Sequence, residues 1–419
     1  MENQKIKMPS SLPSAIFDNL QFLPDPFRSG AEVIAPMLST EKQQDYFFSL
    51  RYLISYKGSS ATFNSYRREV ERLLQWIWLK TDLNLTKIKR EHIEQYLEFS
   101  INPPTSWVGL KNVARFKSSD GLRIQNPDWR PFVVPYNKAL KQKSAAEDYS
   151  PSQKAIQSAF AILSSFFNFL IQEEFLTANP VALVRQRSRF IQKSQNAAPV
   201  RRISNYQWDE VMRITEQLAE TQPRQHERTL FVLNCLLGMY LRISELVADE
   251  RSVPVMGDFR ADQDRNWWFH VVGKGNKSRV ITVSNGMLTA LKRYRSYLGL
   301  TELPFPGEAT PLIVKIQGKG PVTSTRQIRN LVQQCFDLAY ESLAQQGQSS
   351  EASELKAATV HWLRHTGISE DVKIRPREHV KEDAGHSSMA TTDKYIDSEL
   401  RERHASAINK TIIRQADDS

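Results

Sequence analysis

From Glu41 onward, apolar residues recur at intervals of three and four, the spacing that gives an α-helix one buried face. The clearest stretch runs from Thr62 to Ile77. Phe63, Tyr66, Val70, Leu73, Leu74 and Ile77 form its stripe, and Arg67, Arg68 and Arg72 fall off it. Comparable stretches span Lys89 to Ser100 and Ser152 to Glu174, with Asn179-Pro180 as a stop. These predict an all-helical module of four or five helices. A second helical series opens at Ser204, with Trp208 to Leu218, Glu227 to Leu246, Asn285 to Leu298, Thr325 to Ala344, Thr359 to Glu370 and a last helix around Tyr395. One interruption is β-like. Trp267-Trp-Phe-His-Val-Val and Ser278-Arg-Val-Ile-Thr-Val flank Gly273-Lys-Gly-Asn-Lys, the pattern of a hairpin with a Gly/Asn turn. The expected fold class is therefore mainly α, in two domains, with a small β-sheet in the second.

Three segments fall outside the periodic pattern. Prolines at positions 9, 13, 24, 26 and 36 break any regular element before Thr40, which predicts an extended or partly disordered arm. Pro103 to Tyr149 mixes Trp107, Phe116, Trp129, Phe132 and Tyr136 with Lys111, Arg115, Lys117, Arg123, Arg130 and Lys138. These aromatics either pack on the helical module or meet nucleic acid, and packing is the more common use. Arg185 to Arg202 is basic and poor in core-forming residues, which suits a linker lying along a phosphate backbone. The resulting map is an arm at 1–40, a helical domain at 41–185 with an insertion at about 103–149, a basic linker at 186–203, a second domain at 204–405 and a tail at 406–419.

Composition narrows the function class. Across 419 residues, 56 Lys+Arg against 46 Asp+Glu give a net charge of +10, which favours a polyanionic partner without separating DNA, RNA and an anionic membrane. The start lacks a signal-peptide pattern, and the apolar run Phe231 to Leu241 is too short to span a bilayer. A cytoplasmic protein with no membrane partner is expected. Cys235 and Cys335, each in helix-like apolar sequence, are expected as buried thiols.

The chemistry-bearing residues cluster late. Arg242-Ile-Ser-Glu245, His361-Trp-Leu-Arg364-His365 and Ala384-Gly-His-Ser-Ser are followed by Tyr395. Arginine presents a charged planar fork matched to phosphate oxygens, and an activated tyrosine can form a covalent intermediate. His361 and His365 have the spacing of a zinc-protease helix, but Trp362 stands where that chemistry needs glutamate, and no metal is expected. Gly273-Lys-Gly-Asn-Lys lacks the spacing of a nucleotide-binding loop.

The order Arg-x-Ser-Glu, Gly-Lys-Gly hairpin, His-x-x-Arg-His, Gly-His-Ser-Ser, then tyrosine resembles the tyrosine recombinase (phage integrase) family, from about Ser204 to Lys410. The helical module more loosely resembles that family's core-binding domain. The resemblance implies a two-domain clamp on double-stranded DNA, strand cleavage through a 3′-phosphotyrosyl intermediate, and no cofactor. It makes Tyr395 the nucleophile, Arg242 and Arg364 the phosphate clamp, His386 a further donor and His361 a support of the transition state. Lys274 becomes the general acid, with Lys277 as competitor on the same turn, and Glu245 braces the site. Arg67, Arg68, Arg185, Arg187, Arg189 and Lys277 are further candidates for DNA contact. A homotetramer on two recombination sites is implied, with room for accessory DNA-bending proteins and a location at the nucleoid. Residues 399–415 would then dock on a neighbouring protomer or pack in cis. Two departures stand out: the family commonly has glycine where this chain has Tyr240, and leucine where it has Ala384. A type IB topoisomerase-like enzyme and a structural DNA-binding protein with a decayed site are the alternatives.

Overall fold

The computed structural model describes residues 12–24, 39–119, 121–134, 145–186, 201–273, 275–393, 395 and 407–408. The chain divides into two compact units, Met1–Gln195 and Asn196–Ser419.

The first unit is built on helices α1 (Thr40–Ile54), α2 (Ser60–Lys80) and α3 (Arg90–Ile101), then α4 (Gln153–Gln172) and α5 (Pro180–Gln186). Their apolar stripes meet in one core, with Leu50 and Leu53 against Val70, Leu73, Leu74 and Ile77, and with Phe160, Leu163, Phe166 and Phe167 of α4. By length and composition α4 would suffice to cross a bilayer, which the sequence reading overlooked. Ile156, Phe160, Ile162, Leu163, Phe166, Phe167 and Leu170 are instead buried in the unit. Asn179-Pro180, expected as a stop, also starts α5. Proline has no N–H to lose in a first turn, and Asn179 Oδ1 accepts the Val181 N–H at 2.9 Å.

Between α3 and α4, the insertion forms two small sheets. Strands β1 (Val108–Gly109) and β4 (Phe132–Val133) pair in parallel, and β2 (Phe116–Ser119) and β3 (Leu122–Gln125) form an antiparallel hairpin. Its aromatics pack. Trp107 and Phe132 are buried against Leu79, Phe99 and Tyr149, and Phe116 and Trp129 against Ala15. Tyr136 and Lys138 lie outside the described residues.

The described part of the arm, Leu12 to Pro24, is an extended strap held by side chains. Glu71 Oε1 accepts the backbone N–H groups of Ile16 and Phe17, and the Glu71 carboxylate pairs with Arg115. Gln75 and Gln125 donate to the carbonyls of Ser14 and Ala15, and Arg123 forks onto Asp18. Arg67, expected at DNA, must be reassigned. It is only 5% exposed, and its guanidinium donates to the Asp18 carbonyl, Asn19 and Asn64. Its place in the α2 sequence carried no sign of the strap, whose partners lie about fifty residues earlier.

The second unit contains α6 (Asn205–Thr221) and α7 (Pro223–Gly238), strands β5 (Phe259–Ala261), β6 (Trp267–Val272) and β7 (Ser278–Thr282), and then α8 (Asn285–Tyr297). Helices α9 (Thr325–Gln345), α10 (Ser349–Ala357), α11 (Val360–Ile374), α12 (Arg377–Ala384) and α13 (Met389–Asp393) follow. Ser204 caps α6 by accepting the Gln207 N–H at 3.1 Å, and the Gln207 side chain accepts the Ser204 N–H in return. The expected hairpin is β6–β7, with Phe269 opposite Ile281, and β5 adds a third, antiparallel strand. Phe231, Val232 and Cys235 of α7, Val332, Cys335 and Phe336 of α9, and Phe269 and Ile281 of the sheet share one core. Both cysteines are buried free thiols.

Two helix expectations in this unit need correction. The helix expected from Glu227 to Leu246 runs from Pro223 and ends at Gly238, because Tyr240 adopts φ +50 and turns the chain out. Arg242 therefore lies on a loop that enters a short 3₁₀ turn, Ile243–Glu245. Tyr395 likewise sits in a turn beyond α13 rather than on a helix.

Candidate active site

Helix α11 carries His361, Arg364 and His365, whose spacing places them along one side of the helix. It approaches the C-terminal end of α7 so closely that a Cβ on Gly367 would collide with the Leu237 carbonyl oxygen. That approach brings Arg364, 3% exposed, under the loop after α7, where it donates to the carbonyls of Tyr240 and Ala384. Burial, then the nearby Arg242, lowers the Arg364 pKa to about 10, so the guanidinium stays charged at neutral pH.

Arg242 is positioned by Glu245. Its Nη1 donates to Oε1 at 2.9 Å, and its backbone N–H donates to Oε2 at 2.8 Å. The Glu245 carboxylate also receives a bidentate fork from Arg279 of β7, both bonds at 2.8 Å. Burial alone would raise the Glu245 pKa, but the bonds and charge of Arg279 and Arg242 lower it below the usual range and hold it ionised. Arg279 Nε reaches across to the Asp383 carbonyl at 2.9 Å. The sequence reading missed Arg279. Its one signal was an arginine inside an apolar β-run directly after the Gly-Lys-Gly turn.

Two glycines let these elements close up. Gly385 ends α12 at φ +63, and a Cβ there would meet Arg279 Cδ at 2.8 Å. A Cβ on Gly273 would meet Arg279 Nη1 at 3.0 Å and Glu245 Oε1 at 3.1 Å, so the hairpin turn begins against the brace. Lys274 lies outside the described residues, and Lys277 is exposed on the same turn.

His386 follows Gly385, with Nδ1 2.9 Å from Thr392 Oγ1, and its ring stacks on Tyr395 at 5.6 Å between centroids. Tyr395 is 9% exposed, and its hydroxyl lies 2.7 Å from His365 Nδ1. Burial raises the phenol pKa against the lowering effect of Arg364 and Arg242. Burial drives both His365 and His386 down to about 4, helped at His365 by His361 and Arg364 and at His386 by Arg364 and Arg242, so both are neutral imidazoles at pH 7. His361 is exposed, its ring edge-on to His365 at 4.3 Å.

The structure thus gathers Arg242, Glu245, Arg364, His361, His386 and Tyr395. It adds His365 and Arg279, to which the sequence reading gave no role. Arg68 stands apart in the first unit, exposed and paired with Glu69 at 2.7 Å. Arg187, Arg189 and the Arg185 side chain lie outside the described residues, as do 396–406 and 409–419 of the C-terminal segment. Among the described residues no group of three or more His, Cys, Asp or Glu side chains forms a metal cage. The arrangement is a cationic cluster around a buried phenol, a chemistry suited to a tetrahedral anion and to charge building on it.

No family profile matches the chain. Over 259 residues, it is 26% identical to a tyrosine recombinase XerC from Chlorobaculum parvum, covering 58% of this chain and 68% of that protein. A XerC from Bradyrhizobium diazoefficiens is 32% identical over 188 residues, 43% of this chain and 50% of its own length. Among solved structures, XerH recombinase bound to a palindromic difH substrate superposes with a TM-score of 0.51 at 12% identity, covering 89% of this chain and 86% of that one. A lambda integrase dimer bound to a COC′ core site gives 0.50 at 14% identity, covering 85% and 77%.

Proposed function

The chain belongs to the tyrosine recombinase family, and from that premise we propose that it is a site-specific DNA recombinase whose Tyr395 attacks the scissile phosphate. The observation that carries this reading is the buried Tyr395 hydroxyl, held by His365 beside Arg364, Arg242 and His386. Arg242 and Arg364 bind the two non-bridging oxygens, and their fixed positive charge stabilises the pentacoordinate transition state more than the phosphodiester itself. Glu245 and Arg279 hold Arg242 in place. His386 donates to the same phosphate, and His361, open to solvent, supports the transition state from the substrate side. Lys274 protonates the departing 5′ oxygen.

The product is a 3′-phosphotyrosyl link that conserves the energy of the broken bond, so resealing needs no nucleotide and no cofactor. A partner strand's 5′ hydroxyl then attacks this link. Four protomers on two sites, assembled at the nucleoid in the cytoplasm, complete the exchange, with the 399–415 segment as a candidate link between protomers. The relatives named above are recombinases, which does not favour a topoisomerase-like or catalytically decayed protein.

The test uses nicked duplexes taken from the DNA flanking the gene, which lose a short fragment on cleavage and trap the covalent intermediate. A protein-linked strand should appear on a denaturing gel with the wild type and vanish with Tyr395→Phe, while both proteins shift the duplex equally. Equal binding with no adduct from either protein on the cleavable sites would discard the enzymatic reading.

A further inference from the structure

Resting on the nucleophilic role proposed for Tyr395, we infer that His365 is a further catalytic residue, taking the phenolic proton through its Nδ1 as Tyr395 attacks. The geometry is direct. His365 Nδ1 lies 2.7 Å from the Tyr395 hydroxyl oxygen, within the range required of a general base and its proton. The two rings are tilted by 36° with centroids 5.4 Å apart, so the contact is through Nδ1 and the hydroxyl rather than by stacking. His386, by contrast, stacks on the face of the phenol and turns its own Nδ1 to Thr392, so it is not placed to receive that proton. His361 touches the edge of the His365 ring and is exposed.

The step balances. A phosphorus–oxygen bond forms to Tyr395 and the bond to the 5′ oxygen breaks. The phenolic proton passes to Nδ1 of an imidazole that already carries hydrogen on Nε2, and the leaving oxygen takes its proton from the general acid. Resealing runs the same transfers in reverse.

The surroundings add a gate to this transfer. His361 and Arg364 on the same helix, His386 and Tyr395 from the following segment, and Arg242 from the loop after α7 all face this corner. Burial, then His361, Arg364 and His386, hold His365 neutral and weakly basic, so Tyr395 remains a phenol. A phosphodiester bound by Arg364 offsets its charge, which raises the basicity of His365 when the substrate is in place. The nucleophile is thereby activated by the group it attacks.

The experiment measures single-turnover cleavage of the nicked substrates by wild type, His365→Gln, His365→Ala and Tyr395→Phe, with binding followed by gel shift. Gln preserves a polar acceptor but takes no proton, and it covers the case in which Ala disturbs folding. Both His365 variants should bind normally and cleave about 10²-fold or more slowly, the range of general-base contributions. The slow rate should persist on a substrate with sulfur at the 5′ bridging position, whose leaving group needs no proton. Added imidazole should restore part of the Ala variant's rate. Wild-type cleavage by either His365 variant, or recovery on the sulfur substrate, would overturn the inference while leaving the recombinase reading intact. No adduct even from wild type would fail the recombinase reading itself.

Discussion

His365 and His386 show how much a side chain's chemistry depends on where the fold puts it. In an unfolded chain both imidazoles titrate near 6.5, whereas burial, then His361 at His365 and Arg364 at His386, moves them to about 4. Between those values the unfolded chain binds more protons than the folded one. Stability conferred by the neutral imidazoles is therefore complete above about pH 6.5 and is lost as the pH falls toward 4. Both residues are only half-buried, so solvent screens part of this effect. Thermal melts at pH 7, 5.5 and 4.5 should show the second unit weakening across this window, and a His365→Gln, His386→Gln double variant should weaken less steeply. Parallel pH curves for the two proteins would mean that other groups set the acid sensitivity. Arg364 and Glu245 behave differently, since both keep their charge at neutral pH despite burial.

At the scale of elements, the loop after α7 decides the site. Tyr240 adopts φ +50, a conformation that costs a non-glycine residue roughly 1–2 kcal/mol, and it leaves the Tyr240 carbonyl facing Arg364. Its ring compensates by filling a small core with Ile368, Val380, Ala384 and Tyr395, and its hydroxyl bonds Asp371 and Arg375. A large residue at 240 and a small one at 384 thus share one space, which accounts together for the two departures from the family pattern. Tyr240→Gly should relieve the backbone yet destabilise the protein by about 2–4 kcal/mol through the cavity it opens. Adding Ala384→Leu should recover part of that loss. Urea unfolding of both single variants and the double would reveal this coupling, and strictly additive effects would refute the shared space. The sequence marked Tyr240 and Ala384 as departures, but not that they share a space or that the helix stops before them, because Met239-Tyr240-Leu241 simply extends the apolar pattern of α7. The long stripes of α2, α4 and α9 and the β6–β7 hairpin were legible because their periodicity is local. Strands β1 and β4 were not, since two-residue strands paired across 24 positions leave no local pattern. The polar α10 had no stripe to read. In the site, the residues of the short motifs were found from their order along the chain, which resembles the tyrosine recombinase pattern, whereas Arg279 and the His365–Tyr395 contact depend on which elements the fold brings together.

For the whole molecule, the proposed function requires two separately cored units to act on one DNA duplex. The net charge of +10 is the relevant resource, and the boundary between the units at Gln195–Asn196 falls inside the basic run from Arg185 to Arg202. A duplex bound through phosphate contacts releases about 0.9 counterion per phosphate neutralised, so log K should fall linearly with log salt. If the linker arginines lie on the backbone, replacing Arg185, Arg187 and Arg189 with glutamine should flatten that slope by up to about 2.7. The loss of affinity should be equal on specific and unrelated duplexes, because phosphate contacts carry no sequence information. Cleavage at saturating protein should keep its rate, since the proposed reaction gives none of the three a part in the chemistry. Fluorescence anisotropy titrations from 50 to 200 mM salt, on the flanking-site duplex and a scrambled one, measure both quantities (roughly the range over which such slopes are resolved). An unchanged slope would remove the linker from the DNA interface and leave nonspecific affinity to the surfaces of the two units. A loss confined to the flanking-site duplex would instead make these arginines part of how the site is read.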